Sequence, residues 1–193
     1  MADPRVLAAM ASVPRAAFVD TDLADRAGED APLPIGEGQT ISQPLVVALM
    51  AQALELAPGD RVLEVGAGSG YAAAVLGRLA GHVDAVEVRE ALAHRAAQNL
   101  SGAGAGNVEV HHADGTGGWP PGAPYDAIAV AAGASAVPPA LLDQLAPGGR
   151  LVMPVGPRPG RQRLVRVRRR ADGADRAEDL GIPVRFVPLV RGY

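Results

Sequence analysis

The stretch LEVGAGSGY (63–71) sets glycines at 66, 68 and 70 between one apolar run and the next, YAAAVLGRLA. Glycines at this spacing let a chain turn sharply from strand to helix, and they let backbone amides approach a ligand with no Cβ in the way. Glu87 ends the run VDAVEV, 21 positions after Gly66. That is close to the roughly 20-residue interval at which a carboxylate accepts from ribose hydroxyls. Asp114, followed by Gly115, comes just after NVEVHHA begins to turn, where a carboxylate can accept from an adenine amino group while the glycine keeps the pocket open. Each feature alone has an ordinary explanation: a tight turn, a solvated glutamate, a loop aspartate. Together, at the ends of three successive strands, they describe one nucleoside pocket, with Glu64, Ala67 and Val88 beside them. The dinucleotide fingerprint G-x-G-x-x-G is not met, because its sixth position is Tyr71. A nicotinamide-dependent oxidoreductase therefore ranks second, and it would need a hydride-transfer partner that the chain does not display.

A second candidate site lies upstream in PLPIGEGQTISQP (32–44), where Gln39, Thr40, Ile41 and Ser42 precede the apolar run LVVALMAQAL. Two readings compete. Ser42 can cap the helix that follows, with Pro44 in its first turn. Alternatively, the prolines and glycines stiffen one wall of an active site and aim Ser42 at a substrate.

The elements that must position these residues follow from periodicity. Helical spacing marks DPRVLAAMASV and PRAAFVD, parted at Pro14, and then 44–56, which stops at APGD; TDLADRAGED reads as loop. Short apolar runs bounded by turn residues, RVLEV, VDAVEV, NVEVHH, YDAIAVA and GRLVMPV, read as buried strands. The helices YAAAVLGRLA, EALAHRAAQNL and PPALLDQL lie between them. Such alternation predicts an α/β fold, a doubly wound and mostly parallel sheet with helices on both faces. RQRLVRVRRR and IPVRFVPLV read as late antiparallel edge strands, with ADGADRAED as the turn between them. The expected organisation is one domain over 1–193. Residues 1–43 form a helical, substrate-side segment, 44–156 the ligand-binding core and 157–193 the last strands.

Composition narrows the function further. Hydrophobic residues make up 48% and aromatics 3%, so Ala, Val and Leu must build the core. The apolar runs are broken well short of the roughly 18–20 residues of a membrane span, and MADPRVLAAMASVPR does not read as a leader. No membrane association is expected. With no cysteine, thiolate zinc sites, disulfides and a cysteine nucleophile are excluded, and a reducing cytoplasm is the expected setting. A net charge of −3 argues against nucleic acid as a partner. His82, His94, His111 and His112 show no metal spacing on one element, so no metal is expected. Trp119 reads as a core-edge residue, and the arginines at 161, 163, 166, 168 and 170 read as a solvated strand face and edge.

The glycine loop with its preceding Glu64 resembles that of Rossmann-like methyltransferases that use S-adenosylmethionine. LPIGEGQTISQP, LEVGAGSGY, DGTGGWP, YDAIAVAAGA, LAPGGRLVMPVG and VRFVPLV, with VPRAAFV near the start, are similar in order and type to the protein-L-isoaspartate O-methyltransferases. The chain departs from the family's pattern at Gly28 and in AVAAGASAVP. The resemblance implies methyl transfer from S-adenosyl-L-methionine, leaving S-adenosyl-L-homocysteine, to the α-carboxylate of isoaspartyl residues in damaged proteins or peptides. It implies Ser42 at the active site, Thr40, Ile41 and Ser42 against the substrate, and Gln39 and Thr40 over the methyl donor. It also implies that VRFVPLV packs near the peptide-binding cleft. A monomer is expected. Two other readings remain open: a related carboxyl methyltransferase that modifies an aspartate of a ribosomally made peptide, and a non-catalytic binder of the nucleoside cofactor.

Overall fold

The computed structural model describes residues 3–192, so the first two residues of the predicted N-terminal segment, and Tyr193, lie outside it. Asp3 caps the first helix, α1 (Pro4–Ser12), by accepting from the Arg5 amide at 2.8 Å. Pro4 occupies the first helical position, where its missing N–H costs nothing. Two 3-10 turns follow, Arg15–Phe18 and Thr21–Arg26. The second falls in the stretch expected to be loop, because six polar-rich residues carry no helical apolar period for a sequence reading to detect.

The segment 32–44 holds an unexpected hairpin. Strands β1 (Leu33–Gly36) and β2 (Gln39–Ile41) pair antiparallel, with Leu33 opposite Ile41. The turn places Gly36, Glu37 and Gly38 at φ of 87°, 52° and 67°, a left-handed path that glycine takes without strain. Strands of four and three residues are too short for alternation to register. Helix α2 (Pro44–Leu54) follows, and its N-cap is Gln43, with no side-chain capping bond. The cap comes from a distance: Asp30 accepts from the Leu45 amide at 2.9 Å and from Gln43 Nε2 at 3.1 Å. This corrects the helix-capping reading of Ser42.

The remaining elements are β3 (Arg61–Val65), α3 (Tyr71–Gly77), β4 (His82–Glu87), α4 (Glu90–Gly102), β5 (Val108–His112), β6 (Tyr125–Val130), α5 (Pro139–Leu142), β7 (Leu145–Val155), β8 (Gln162–Arg169) and β9 (Asp175–Val184). They build a seven-stranded sheet in the order β5-β4-β3-β6-β7-β8-β9. The first five strands in that order are parallel, and β7, β8 and β9 form an antiparallel meander. The order reverses between β3 and β6, where a doubly wound sheet opens a crevice at its carboxyl ends. One face packs Val62, Val83, Ala85, Ala127 and Ala129 against α1, α2, α3 and α4. The other packs Leu63, Val65, Ile128 and Met153 beneath the short α5 and Trp119. Both faces are covered, but unequally. No helix among the described residues is long and apolar enough to cross a membrane.

Two boundaries differ from expectation. The helix in PPALLDQL is one turn long, because the Tyr125 amide donates to the Gln144 carbonyl at 2.8 Å and draws the chain into β7. The acidic stretch ADRAED, expected to be a turn, opens β9 instead. Its acids face the arginines of β8: Arg169 with Asp175 at 3.0 Å, Arg166 with Glu178 at 2.7 Å and Arg163 with Asp179 at 2.9 Å. Opposite charges across strands stabilise pairing that neither composition would favour alone. At this end of the sheet the edge strand is β9, so β8 is interior.

Arg150 on β7 ties the end of α2 to the sheet. Its guanidinium donates to the carbonyls of Leu54 at 2.6 Å, Glu55 at 2.7 Å and Asp126 at 3.1 Å, and to Asp60 at 2.7 Å. Arg150→Ala orphans these acceptors, so urea unfolding should show a loss on the order of 2–3 kcal/mol. Arg150→Lys should recover less than half, because one ammonium cannot replace the planar fork.

Candidate active site

A cavity of about 1020 Å³ opens beyond the carboxyl ends of β3 and β4. It reaches the top of the ~300–1,000 Å³ range of small-molecule sites, which leaves space for a second ligand beside a nucleoside. Its floor is the glycine loop. Gly66, Gly68 and Gly70 sit at φ of 91°, 56° and 87°. Gly66 and Ala67 donate to the Val86 carbonyl at 2.8 and 3.1 Å, locking the loop to β4. Glu87 completes the lock: its Oε2 accepts from the Gly68 amide at 2.8 Å and its Oε1 from the Arg89 amide at 3.0 Å. Each of those oxygens keeps a further lone pair.

Of the residues predicted to hold the nucleoside, Glu64, Gly66, Ala67, Gly68, Glu87, Val88 and Gly115 line the cavity. Gly70 and Asp114 do not. A Cβ at Gly70 would lie 3.1 Å from Leu100 and 3.2 Å from the Ala96 carbonyl, so that glycine lets α3 close on α4. The exposed Asp114 spends Oδ1 on the Thr116 amide at 2.8 Å and hydroxyl at 2.7 Å, closing the turn that presents Gly115. A Cβ at Gly115 would come within 2.6 Å of Val65.

Glu64 is the most unusual group in the site. It is 1% exposed, and its Oε2 has no hydrogen-bond partner among the described residues. Burial, and then the charge of Glu87, push its carboxyl up to about 8. An orphaned acid on a cavity wall is suited to a cationic ligand group, whose approach would favour the ionised form. The α-amino group of a bound amino-acid moiety supplies such a cation, so these residues fit S-adenosylmethionine.

The hairpin forms the opposite wall, and Gln39, Thr40, Ile41 and Ser42 all line the cavity. Gln39 Nε2 donates to the Glu37 carbonyl at 3.1 Å, closing its own turn. The Ser42 hydroxyl has no partner among the described residues, which leaves it available to a ligand. The Ser42 carbonyl is held by Arg15, which the sequence reading placed in the VPRAAFV motif without giving it a role. Arg15 is buried, and it donates to Ala27 O at 2.9 Å, Glu29 O at 3.3 Å, Ala31 O at 2.8 Å and Ser42 O at 3.1 Å. The available signal was an arginine inside the apolar stretch ASVPRAAFV, since a buried arginine must find acceptors for its donors.

The third wall is the C-terminal segment. Arg185, Phe186 and Leu189 line the cavity. Buried Gln162 acts like a strand neighbour, accepting from the Phe186 amide at 2.7 Å and donating to its carbonyl at 3.2 Å. A Cβ at Gly133 would fall 1.9 Å from Gln162 Nε2, so a side chain there would displace this clamp. By contrast, a Cβ at Gly28 would meet nothing within 4 Å.

Outside the cavity lining, His82 and Asp84 of β4 and Glu109 of the neighbouring β5 bring side-chain ligand atoms within 4.8 Å of one another. Asp84 is already engaged. Arg61 at 3.1 Å and Tyr125 Oη at 3.3 Å hold Oδ2, and His111 holds Oδ1 at 2.8 Å while stacking on Trp119 with centroids 4.1 Å apart. This network braces the loop that leads from Gly115 to β6.

The state of Glu64 has a consequence for stability. The folded protein keeps the Glu64 proton up to about pH 8, whereas the unfolded chain releases it near 4.5. The unfolded state therefore binds fewer protons between those values, and the folded protein loses stability as pH rises through that window. Thermal unfolding of the ligand-free protein at pH 5 and pH 8 should show Glu64→Gln losing less of its midpoint than the parent chain.

Comparison with known proteins agrees with this geometry. The family model for protein-L-isoaspartate(D-aspartate) O-methyltransferase matches residues 1–193. A protein-L-isoaspartate O-methyltransferase 2 of Pelobacter propionicus is 60% identical over 188 residues, covering 97% of this chain and 83% of that one. Protein-L-isoaspartate O-methyltransferase 1 of Rhodopseudomonas palustris is 58% identical over 188 residues, covering 97% of this chain and 76% of its own. Among solved structures, a Plasmodium falciparum chain described as a protein-L-isoaspartate O-methyltransferase, in complex with S-adenosyl-L-homocysteine, superposes with a TM-score of 0.83 at 25% identity, covering 98% of this chain and 92% of that chain. A second protein-L-isoaspartate O-methyltransferase structure gives 0.86 at 30% identity, covering 96% of this chain and 61% of that longer one. With the glycine loop, the hairpin and the C-terminal wall meeting around one cavity, the chain belongs to the protein-L-isoaspartate(D-aspartate) O-methyltransferase family.

Proposed function

We propose that the protein transfers a methyl group from S-adenosyl-L-methionine to the α-carboxylate of L-isoaspartyl residues in damaged proteins or peptides. The resulting ester closes to a succinimide, and hydrolysis of that ring returns some normal aspartate. One observation carries the assignment of roles: the glycine loop and the hairpin with the unpartnered Ser42 hydroxyl face a single shared cavity.

The chemistry asks little of the protein beyond placement. A carboxylate with pKa near ~4 is already ionised at neutral pH and needs no general base. When bound, S-adenosylmethionine supplies an electrophilic methyl group on a positively charged sulfur. On the donor side, Glu64 takes the ligand's ammonium, Glu87 offers its remaining lone pairs to the ribose, and Val88 and Gly115 flank the adenine. On the acceptor side, the Ser42 hydroxyl donates to the substrate carboxylate, while Thr40 and Ile41 limit how it can turn. Arg15 keeps this wall in place through the Ser42 carbonyl. Ile41, Val47 and Phe186 line the same space with apolar surface, which excludes water from the line of transfer. The neutral hydroxyl suits this reaction, because opposite charges are consumed in the transition state and a fixed cation beside the carboxylate would hold back the nucleophile. The proposal includes a single domain, a monomer and a cytoplasmic setting, the last supported by the absence of cysteine.

Labelled S-adenosylmethionine with an isoaspartyl peptide and its normal aspartyl twin provides the test. Transfer should favour the isoaspartyl peptide by at least about 100-fold in kcat/KM, a difference that positioning alone can supply. Equal or absent transfer to the two would refute the assignment. Ser42→Ala should lower kcat about tenfold or more while cofactor affinity stays within about twofold, as expected for loss of a positioning donor. A matching loss of cofactor affinity would move Ser42 to the donor side.

A further inference from the structure

We infer that the substrate mouth of this cavity selects isoaspartyl sites flanked by acidic residues. The inference rests on the methyltransferase reading above and specifies its substrate. It comes from how the arginines around β8 are distributed and balanced. Every arginine on β8 is matched to an acid: Arg163 to Asp179, Arg166 to Glu178 and Glu55, Arg168 to Glu55, and Arg169 to Asp175. Arg170, just beyond the strand, pairs with Asp172 at 2.9 Å.

The arginines at the cavity mouth are different. Arg158, Arg161 and Arg185 are exposed, and their side chains have no partner among the described residues. Arg185 lines the cavity itself, and Arg158 and Arg161 bracket Pro159 and Gly160, which also line it. The acids of the lining are Glu64 and Glu87, both at the glycine loop on the methyl-donor side. The lining's other arginine, Arg89, is balanced by Glu37 at 3.5 Å. A chain with net charge −3 thus carries one guanidinium group on the lining and two on residues flanking it, all without a partner among the described residues, beside a strand whose arginines are all paired with acids.

Such a local field attracts a peptide with negative residues near the isoaspartate and repels one with lysines. The guanidinium groups lie at the surface, so each contact is worth a factor of about 1.5 to 5 at low salt. Charges within the ~8–10 Å Debye length add to it, and high salt removes it.

Two isoaspartyl peptides test the inference, identical except for Glu or Lys at the two positions on each side of the isoaspartate. At low ionic strength the Glu peptide should show a kcat/KM about tenfold higher, carried mainly by KM. The ratio should fall below about twofold in 0.5 M NaCl. Replacing Arg158, Arg161 and Arg185 together by Gln should lower the low-salt ratio to about threefold or less, while Arg169→Gln, remote from the lining, should leave it unchanged. Equal use of both peptides, a preference for the Lys peptide, or a ratio indifferent to salt and to the triple substitution would overturn the charge selection and leave the methyltransferase reading intact. Transfer to neither peptide would overturn that reading and this inference with it.

Discussion

Both oxygens of Glu87 accept backbone amides, one from Gly68 and one from Arg89, and the rest of the site is arranged around that carboxylate. A buried carboxylate must be supplied with donors, and here the donors belong to the glycine loop and to the start of the segment after β4. The bond to Gly68 fixes the loop across the crevice, while the amides of Gly66 and Ala67 hold it at its base to Val86. A residue that from its position alone looks like a ribose acceptor is thus also the bracket that keeps the ligand-binding loop in shape. It adds as well to the burial that keeps the neighbouring Glu64 protonated in the ligand-free protein.

The other walls are held by the same means, polar side chains, buried at Arg15 and Gln162 and exposed at Asp30, that stand in for missing backbone partners. Arg15 gathers four carbonyls from separate turns and so sets the height of the hairpin above the loop. Asp30 supplies the cap that α2 lacks, which frees Ser42 from that task. Gln162 holds Phe186 as a strand would. None of these three residues is proposed to touch a reacting atom. Each spends hydrogen bonds on backbone groups that no ladder or helix turn satisfies, Arg15 and Gln162 in irregular segments and Asp30 at the start of α2. The arginines at the mouth stay charged and exposed, with no acid paired to them among the described residues.

Much of the architecture was legible before any coordinates. The central parallel strands β3, β4 and β6 are largely buried on both faces and read as mostly apolar runs, and the glycine spacing marked the crevice. Short elements were not legible. The hairpin at 32–44 has too few residues to show alternation, and the true extent of β9 was masked by acids that are favourable only opposite the arginines of β8. Within the site, Ser42, Thr40 and Glu64 were identified by motif, whereas Arg15 was overlooked because its partners lie 12 to 27 residues away. Asp114 and Gly70, assigned to the ligand by their spacing, lie beside the cavity lining, where Asp114 Oδ1 closes the turn that presents Gly115 and Gly70 lets α3 close on α4.

The sequence by itself determined the fold class, the crevice and the motif set that marks the family. These depend on local properties: apolar periodicity, glycine's conformational range and the order of short segments along the chain. Only the tertiary structure decided which polar groups are spent and which are free. It took the helix cap from Ser42 and gave it to Asp30, paired the arginines of β8 with acids and, among the described residues, left Glu64 Oε2 and the side chains of Arg158, Arg161 and Arg185 without partners. The physical reason is that hydrogen bonding and charge pairing act between atoms a few ångströms apart, and nearness in space between residues distant in sequence exists only once the chain has folded.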